Sequence, residues 1–201
     1  FGNCLLAVEA ATGKRKWHFQ LVHHDLWDYD LPAPPTLVTV QQGNKKSEAV
    51  AQVTKMGMVF LFDRITGTPL FPIEERPVPK STLAGEETWA TQPFPLKPAP
   101  FVRQSFSEND ITNISDSANA FIKERIGKSR MGNIFTPPDT LGVVQIPGTR
   151  GGAEWGGASF DPETGILYIN ANELPLLLKM KAVPVKDDQG SAGERIFTMN
   201  N

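Results

Sequence analysis

Apolar and polar positions along the chain alternate over short stretches, and the stretches come in pairs joined by Thr-Gly turns. Cys4–Val8 (CLLAV) is a short apolar run, Ala11-Thr12-Gly13 supplies a turn, and Lys16–Val22 (KWHFQLV) alternates apolar with polar side chains. That pattern predicts a β-hairpin. It returns at Met58–Phe62 (MVFLF), Thr66-Gly67 and Pro69-Leu70-Phe71, and again at Ala158–Phe160, Thr164-Gly165 and Ile166–Asn170 (ILYIN). Helical periodicity is scarce: Ser115–Ile126 (SDSANAFIKERI) predicts one short capped helix, and Val143–Ile146 predicts a further strand. Pro72–Pro100, rich in proline and charge, predicts an extended surface excursion. The pattern as a whole predicts an all-β chain.

Aligned on their glycines, the three hairpins share one layout. They read Ala7-x-Glu9-x-x-Thr12-Gly13-x-x-x-Trp17, Leu61-x-Asp63-x-x-Thr66-Gly67-x-x-x-Phe71 and Ser159-x-Asp161-x-x-Thr164-Gly165-x-x-x-Ile169. An acid before the turn and a threonine in it can hydrogen-bond the turn amides, and glycine supplies the positive φ. The large apolar residue one strand later is placed to pack on a neighbouring sheet. Any single copy could be an ordinary hairpin turn, but three copies with a fixed offset describe a repeat whose units bury their faces on one another. Gly13 and Gly67 lie 54 residues apart and Gly67 and Gly165 lie 98 apart, so an insertion, or a whole unmarked unit, separates the second and third copies.

Composition narrows the partners. The formal net charge is -2 with 21% charged residues of both signs interspersed, which leaves no basic field for nucleic acid. Glycine and proline number 17 each, in keeping with many short strands and turns. Cys4 is the single cysteine, so neither an intrachain disulfide nor a thiolate metal cluster can form within residues 1–201. No basic-then-apolar leader occurs, nor any run near the ~20 apolar residues of a membrane span, so a signal peptide or anchor is expected to lie outside these residues.

Chemistry concentrates after the first hairpin. His23-His24-Asp25-Leu26-Trp27-Asp28-Tyr29-Asp30 holds two imidazoles, three carboxylates and two aromatics in eight positions. A structural reading stands beside a functional one, because histidines and acids also cap and form turns. Metal binding by His23 with His24 is disfavoured, since neighbours on extended backbone point to opposite sides. Lys55 follows in Val53-Thr54-Lys55-Met56-Gly57, and alone it reads as a solvated charge at a strand end. Gly151-Gly152-Ala153-Glu154-Trp155-Gly156-Gly157 offers glycines that let backbone approach a flat ligand, or simply a tight turn into a strand.

Two of these segments carry a family resemblance. The first hairpin resembles the tryptophan-docking motif (Ala-x-Asp-x-x-Thr-Gly-x-x-x-Trp) of dehydrogenases dependent on pyrroloquinoline quinone (PQQ), with Glu9 in place of the aspartate and with tryptophan kept only at position 17. The stretch HHDLWDYDLPAPPTL is similar to the His-Asp-x-Trp-Asp-Tyr region of that family, above all its membrane-bound glucose dehydrogenases. Family members form eight-bladed β-propellers. The resemblance therefore implies a partial β-propeller over residues 1–190 with a long loop insertion at about 72–140 that carries the short helix. It is expected to expose sheet faces that the remaining propeller blades would cover.

The resemblance also implies roles. Asp28, directly after the tryptophan, matches the catalytic base. Lys55 matches the cation that hydrogen-bonds the ortho-quinone oxygens of PQQ. Glu154 and Trp155, in a Glu-Trp-Gly-Gly match, and Asn170 correspond to cofactor-binding positions. Ile134-Phe135-Thr136-Pro137-Pro138 matches the family without a chemical role of its own. No metal ligands are assigned, since the family's calcium ligands lie upstream of Phe1. Gly193-Glu194-Arg195-Ile196-Phe197 resembles the opening helix of a cytochrome c module, with 191–201 as linker, although no haem motif is present and haem c would belong to the parent protein.

The implied activity is oxidation of an aldose sugar or alcohol, with electrons passing to a quinone or cytochrome, in a periplasmic enzyme attached to the inner membrane through other regions. The segment alone is expected to be inactive. The rival implication is a non-catalytic propeller scaffold of the bacterial envelope. A scaffold has no reason to keep Asp28, Lys55, Glu154 and Asn170 together.

Overall fold

A computed structural model describes residues 2–184 and 195–200. In chain order the elements are β1 (Cys4–Val8), β2 (Arg15–Gln20), β3 (Thr36–Gln42), β4 (Lys45–Val53), β5 (Val59–Asp63), β6 (Ile73–Pro77), β7 (Thr91–Pro95), α1 (Asp116–Ile126), β8 (Arg130–Met131), β9 (Val143–Gln145), β10 (Ala158–Asp161), β11 (Ile166–Ile169), β12 (Leu176–Pro184) and β13 (Arg195–Asn200). Antiparallel hairpins β1-β2, β6-β7 and β10-β11, a sheet ordered β3-β4-β5 and a sheet ordered β13-β12-β9-β8 carry the fold.

All three expected turns form, and they form alike. Gly13, Gly67 and Gly165 have φ of 68, 73 and 73°. Each donates its N–H to the carbonyl of the acid four residues earlier, at 2.8, 2.9 and 2.8 Å. Asp63 Oδ1 accepts from the Thr66 N–H and hydroxyl at 2.8 and 3.0 Å, and Asp161 Oδ2 accepts from the Thr164 hydroxyl at 2.6 Å. These bonds favour the ionised acids and hold both carboxyls below the usual aspartate range. Glu9, one methylene longer, instead pairs with Lys16 at 2.8 Å.

Trp17 and Phe71 are both half-buried. The Trp17 indole lies on the second turn: its Nε1 donates to the Arg64 carbonyl at 3.3 Å, and a Cβ at Gly67 would come within 2.5 Å of the ring. Only glycine leaves room for that stacking. Phe71 lines an apolar cleft of about 780 Å³ together with Thr164, Gly165 and Leu167.

Four-stranded antiparallel blades, the usual unit of a β-propeller, are only partly realised. The β3-β4-β5 sheet gains a short fourth segment through a single Phe62–Pro69 bridge and the Leu70 N–H bonded to Leu61 O at 2.9 Å. Pro69 has no N–H with which to extend the ladder. Among the described residues, the one four-stranded sheet contains a parallel pair, β8 with β9.

The excursion over 72–100 is more ordered than its composition suggests, since β6 and β7 pair from Ile73–Pro95 to Pro77–Thr91. Pro93 and Pro95 fall on alternate positions, so in a two-stranded ribbon their missing N–H groups can face away from the partner. Beyond it, α1 begins as expected, with Ser115 Oγ accepting from the Ala118 N–H at 3.1 Å. Its Ile126 joins Phe106 and Ile111 of the insertion and Val144 and Ile146 beyond it in a second small core. At the other end, Arg195–Phe197 lies in β13, paired with β12 from Pro184 to Ala182, and is not helical. Ile196, Phe197 and Thr198 are strand formers, which overrides the expected helix. Gly193 and Glu194 lie outside the described residues.

Candidate active site

The main core explains how the His23–Asp30 segment is held. Trp27 and Tyr29 are 1% and 0% exposed and pack with Phe135, at ring-centroid distances of 5.1 and 6.0 Å. The Tyr29 hydroxyl donates to the Pro147 carbonyl at 2.9 Å, and burial pushes its ionisation well above the normal tyrosine range. Phe135 thus gives the Ile134–Pro138 stretch a function in packing. Trp27 and Tyr29 turn inward, while Asp28 is exposed and Asp30 half-buried. Asp25 fastens the loop by accepting from the Trp27 N–H and the Asn3 amide, both at 2.8 Å.

Lys55 reaches this loop from the turn between β4 and β5. Its side chain is 8% exposed, and its Nζ meets Asp30 Oδ1, the Asp28 carbonyl at 3.0 Å, Asp28 Oδ2 at 3.4 Å and Glu154 Oε1 at 3.8 Å. Burial disfavours the ammonium, but the Asp30 hydrogen bond and the charges of Asp28, Asp30 and Glu154 outweigh it and raise the lysine above its ordinary range. Burial likewise raises the Glu154 carboxyl; Asp30 and Asp28 add to the effect while Lys55 opposes it.

The glycine run is what seats the lysine. A Cβ at Gly151 would lie 2.4 Å from Lys55 Cγ, and one at Gly152 would lie 2.8 Å from Gly57 Cα. Gly152 N–H donates to the Lys55 carbonyl at 2.6 Å and Ala153 N–H to the Thr54 carbonyl at 3.2 Å. Close backbone approach, permitted by glycine, brings Glu154 to the ammonium.

The structure therefore brings Asp28, Lys55 and Glu154 together, and adds Asp30, which sequence reasoning did not single out. Trp155 stands 79% exposed, one residue beyond Glu154. Asn170 is exposed at the end of β11, with its amide 3.3 Å from where a Gly156 Cβ would be. Among the described residues, no group of three or more His, Cys, Asp or Glu is arranged to hold a metal ion. None of the described helices is long and apolar enough to cross a membrane.

Comparison with known proteins agrees with this architecture. The family described as glucose/ethanol/alcohol dehydrogenase, β-propeller domain, matches residues 1–199. Quinoprotein glucose dehydrogenase of Escherichia coli is 34% identical over 183 residues, covering 90% of this chain and 22% of its own length. Quinate/shikimate dehydrogenase (quinone) of Acinetobacter baylyi is 32% identical, covering 98% of this chain and 25% of its own length. The chain thus spans about a quarter of the curated relatives it matches. The solved quinohaemoprotein alcohol dehydrogenase of Comamonas testosteroni superposes with a TM-score of 0.54 at 22% identity, over 98% of this chain and 25% of that one, and this likeness speaks to the fold alone. With its strand-turn repeats, docked tryptophan and a family match over residues 1–199, the chain belongs to the β-propeller family of PQQ-dependent glucose, ethanol and alcohol dehydrogenases.

Proposed function

We propose that this chain supplies the proton acceptor and the cofactor-facing cation of a PQQ-dependent dehydrogenase that oxidises an aldose sugar or a similar alcohol. The observation that carries the reading is a half-exposed carboxylate, Asp28, beside a buried ammonium, Lys55. The residues fit the cofactor: an ammonium has three N–H donors, and after Asp30 and the Asp28 carbonyl the third has only the longer 3.4 and 3.8 Å contacts. That donor suits a quinone oxygen. In this proposal the exposed Trp155 indole supplies a flat wall and the Asn170 amide a hydrogen bond to the cofactor.

When bound, PQQ supplies the acceptor for the hydride. Lys55 would hold the cofactor by a charge-assisted hydrogen bond to a quinone oxygen and would stabilise negative charge there. Asp28 accepts the substrate hydroxyl proton as the C–H bond of the same carbon breaks; its side chain is 60% exposed and open to a ligand. Glu154 keeps the lysine charged. Calcium in this proposal is held by residues outside the chain and contributes no step here. The named activities of the relatives, on glucose and on quinate or shikimate, support a polyhydroxylated substrate and a quinone as electron acceptor. A periplasmic setting, with attachment to the inner membrane, belongs to the same proposal.

In the PQQ-loaded full-length protein, Asp28→Asn is expected to lower turnover with an artificial electron acceptor at least ~100-fold, since the amide cannot take the proton. PQQ titration should stay near the parental curve. Lys55→Ala should instead weaken PQQ binding and rate together. An Asp28→Asn protein that keeps near-parental turnover at saturating PQQ would overturn the reading.

A further inference from the structure

We propose that Asp30 is a positioning residue: it takes the Lys55 ammonium as its own ion-pair partner and so leaves the Asp28 carboxylate free to accept the substrate proton. The inference rests on the reading of Asp28 as the base.

Two carboxylates two residues apart share one buried amine, and they share it unequally. Asp30 meets Lys55 Nζ directly through Oδ1. Asp28 meets it chiefly through its main-chain carbonyl, at 3.0 Å, while its carboxylate stands off at 3.4 Å. The Asp28 backbone is in the left-handed region, φ 61°, a conformation that non-glycine residues seldom adopt. There the carbonyl faces the ammonium and the side chain stays 60% exposed. Were Asp28 the lysine's main counter-ion, one of its oxygens would be tied up in a strong charge-assisted bond and its basicity would fall. Asp30 removes that competition.

The remaining charged neighbour is Glu154, 3.8 Å from Nζ. It is a weaker partner because it is more distant and because burial disfavours its charge. Removing Asp30 therefore leaves Asp28 as the nearest carboxylate to the ammonium. A general base gains rate with basicity, so an aspartate clamped by Lys55 both protonates at lower pH and works less well.

The test is the pH profile of kcat/KM for the PQQ-loaded full-length protein carrying Asp30→Asn. The acid limb is expected to move down by about one pH unit, with kcat about tenfold lower and KM for the alcohol little changed. Asp30→Glu, which can again reach the ammonium, should restore both. A carbon-13 titration of the Asp28 carboxyl in the cofactor-free protein should show the same downward displacement in Asp30→Asn without any turnover. A residue that serves only the fold would lower the plateau and leave the limb in place. An unmoved limb, an upward shift, or failure of Asp30→Glu to restore the profile overturns the inference. Asp28→Asn separates the two claims: if it keeps its turnover the base assignment fails, whereas if it is inactive and the Asp30→Asn limb stays put, only the role of Asp30 fails.

Discussion

Among the described residues Lys55 is the one lysine that is buried; the others are exposed. An amine in that position must be paired, and it must also be shaped around, because four methylenes and a charge have to fit against backbone. Gly151 does the shaping. Its φ of 72° and the 2.4 Å separation between a hypothetical Cβ and Lys55 Cγ mean that alanine would meet two obstacles at once. Left-handed backbone costs an L-residue about 1–2 kcal/mol, and forcing a methyl into a packed contact typically costs another ~1–3. Gly151→Ala is accordingly expected to lower stability by about 2–5 kcal/mol in urea unfolding, and to weaken PQQ binding because the lysine is displaced. Gly165→Ala is the control. It has a similar φ of 73° but nothing within 4 Å of its Cβ, so only the backbone penalty applies and the site is untouched.

Among elements, the hairpin turns were the most legible part of the sequence. Acid, threonine and glycine each act within five residues of one another, so their physics is local and a pattern suffices to find them. Docking between turns is partly legible: the offset of Trp17 foretells that it packs elsewhere, but contact with Gly67 depends on how two hairpins meet. The β6-β7 ribbon was hidden because its prolines argue against a strand unless the edge geometry is known. Of the parallel β8-β9 pair, β9 was legible in Val143–Ile146, whereas β8, with two residues, carries no periodicity and gave no signal for the pairing. At the site, Asp28 and Lys55 stood out through a family resemblance, whereas Asp30 was one acid among three and only geometry shows that it takes the ammonium. Trp17 should matter more than Phe71 for cohesion. Trp17→Ala removes an indole stacked on Gly67 and a hydrogen bond to Arg64, and half-burial places its cost at about 2–4 kcal/mol. Phe71→Ala, at a cleft that is already open, should cost about 1–2. Chemical denaturation of both variants checks the order.

At the scale of the whole molecule, a buried amide ties the insertion to the start of the His23–Asp30 loop. Gln92 on β7 is 0% exposed, yet its Oε1 accepts from the His23 N–H at 2.8 Å and its Nε2 donates to the His23 carbonyl at 2.6 Å. The side chain imitates a strand partner and pins the start of the loop that ends in Asp28 and Asp30. His23 adds a second tie, with Nε2 3.0 Å from Glu75 Oε1 on β6. The ribbon is thereby expected to brace this loop. Gln92→Met keeps the volume and removes both bonds, leaving the part-buried His23 N–H and carbonyl without this partner at about 1–3 kcal/mol each, so a loss of about 2–6 kcal/mol is expected. The location of the loss distinguishes a brace from a plain packing defect. Amide hydrogen exchange should accelerate at His23–Asp30 as well as in β6-β7, and turnover should fall even where the protein remains folded. If faster exchange is confined to the ribbon and turnover is unchanged, the insertion does not support the site.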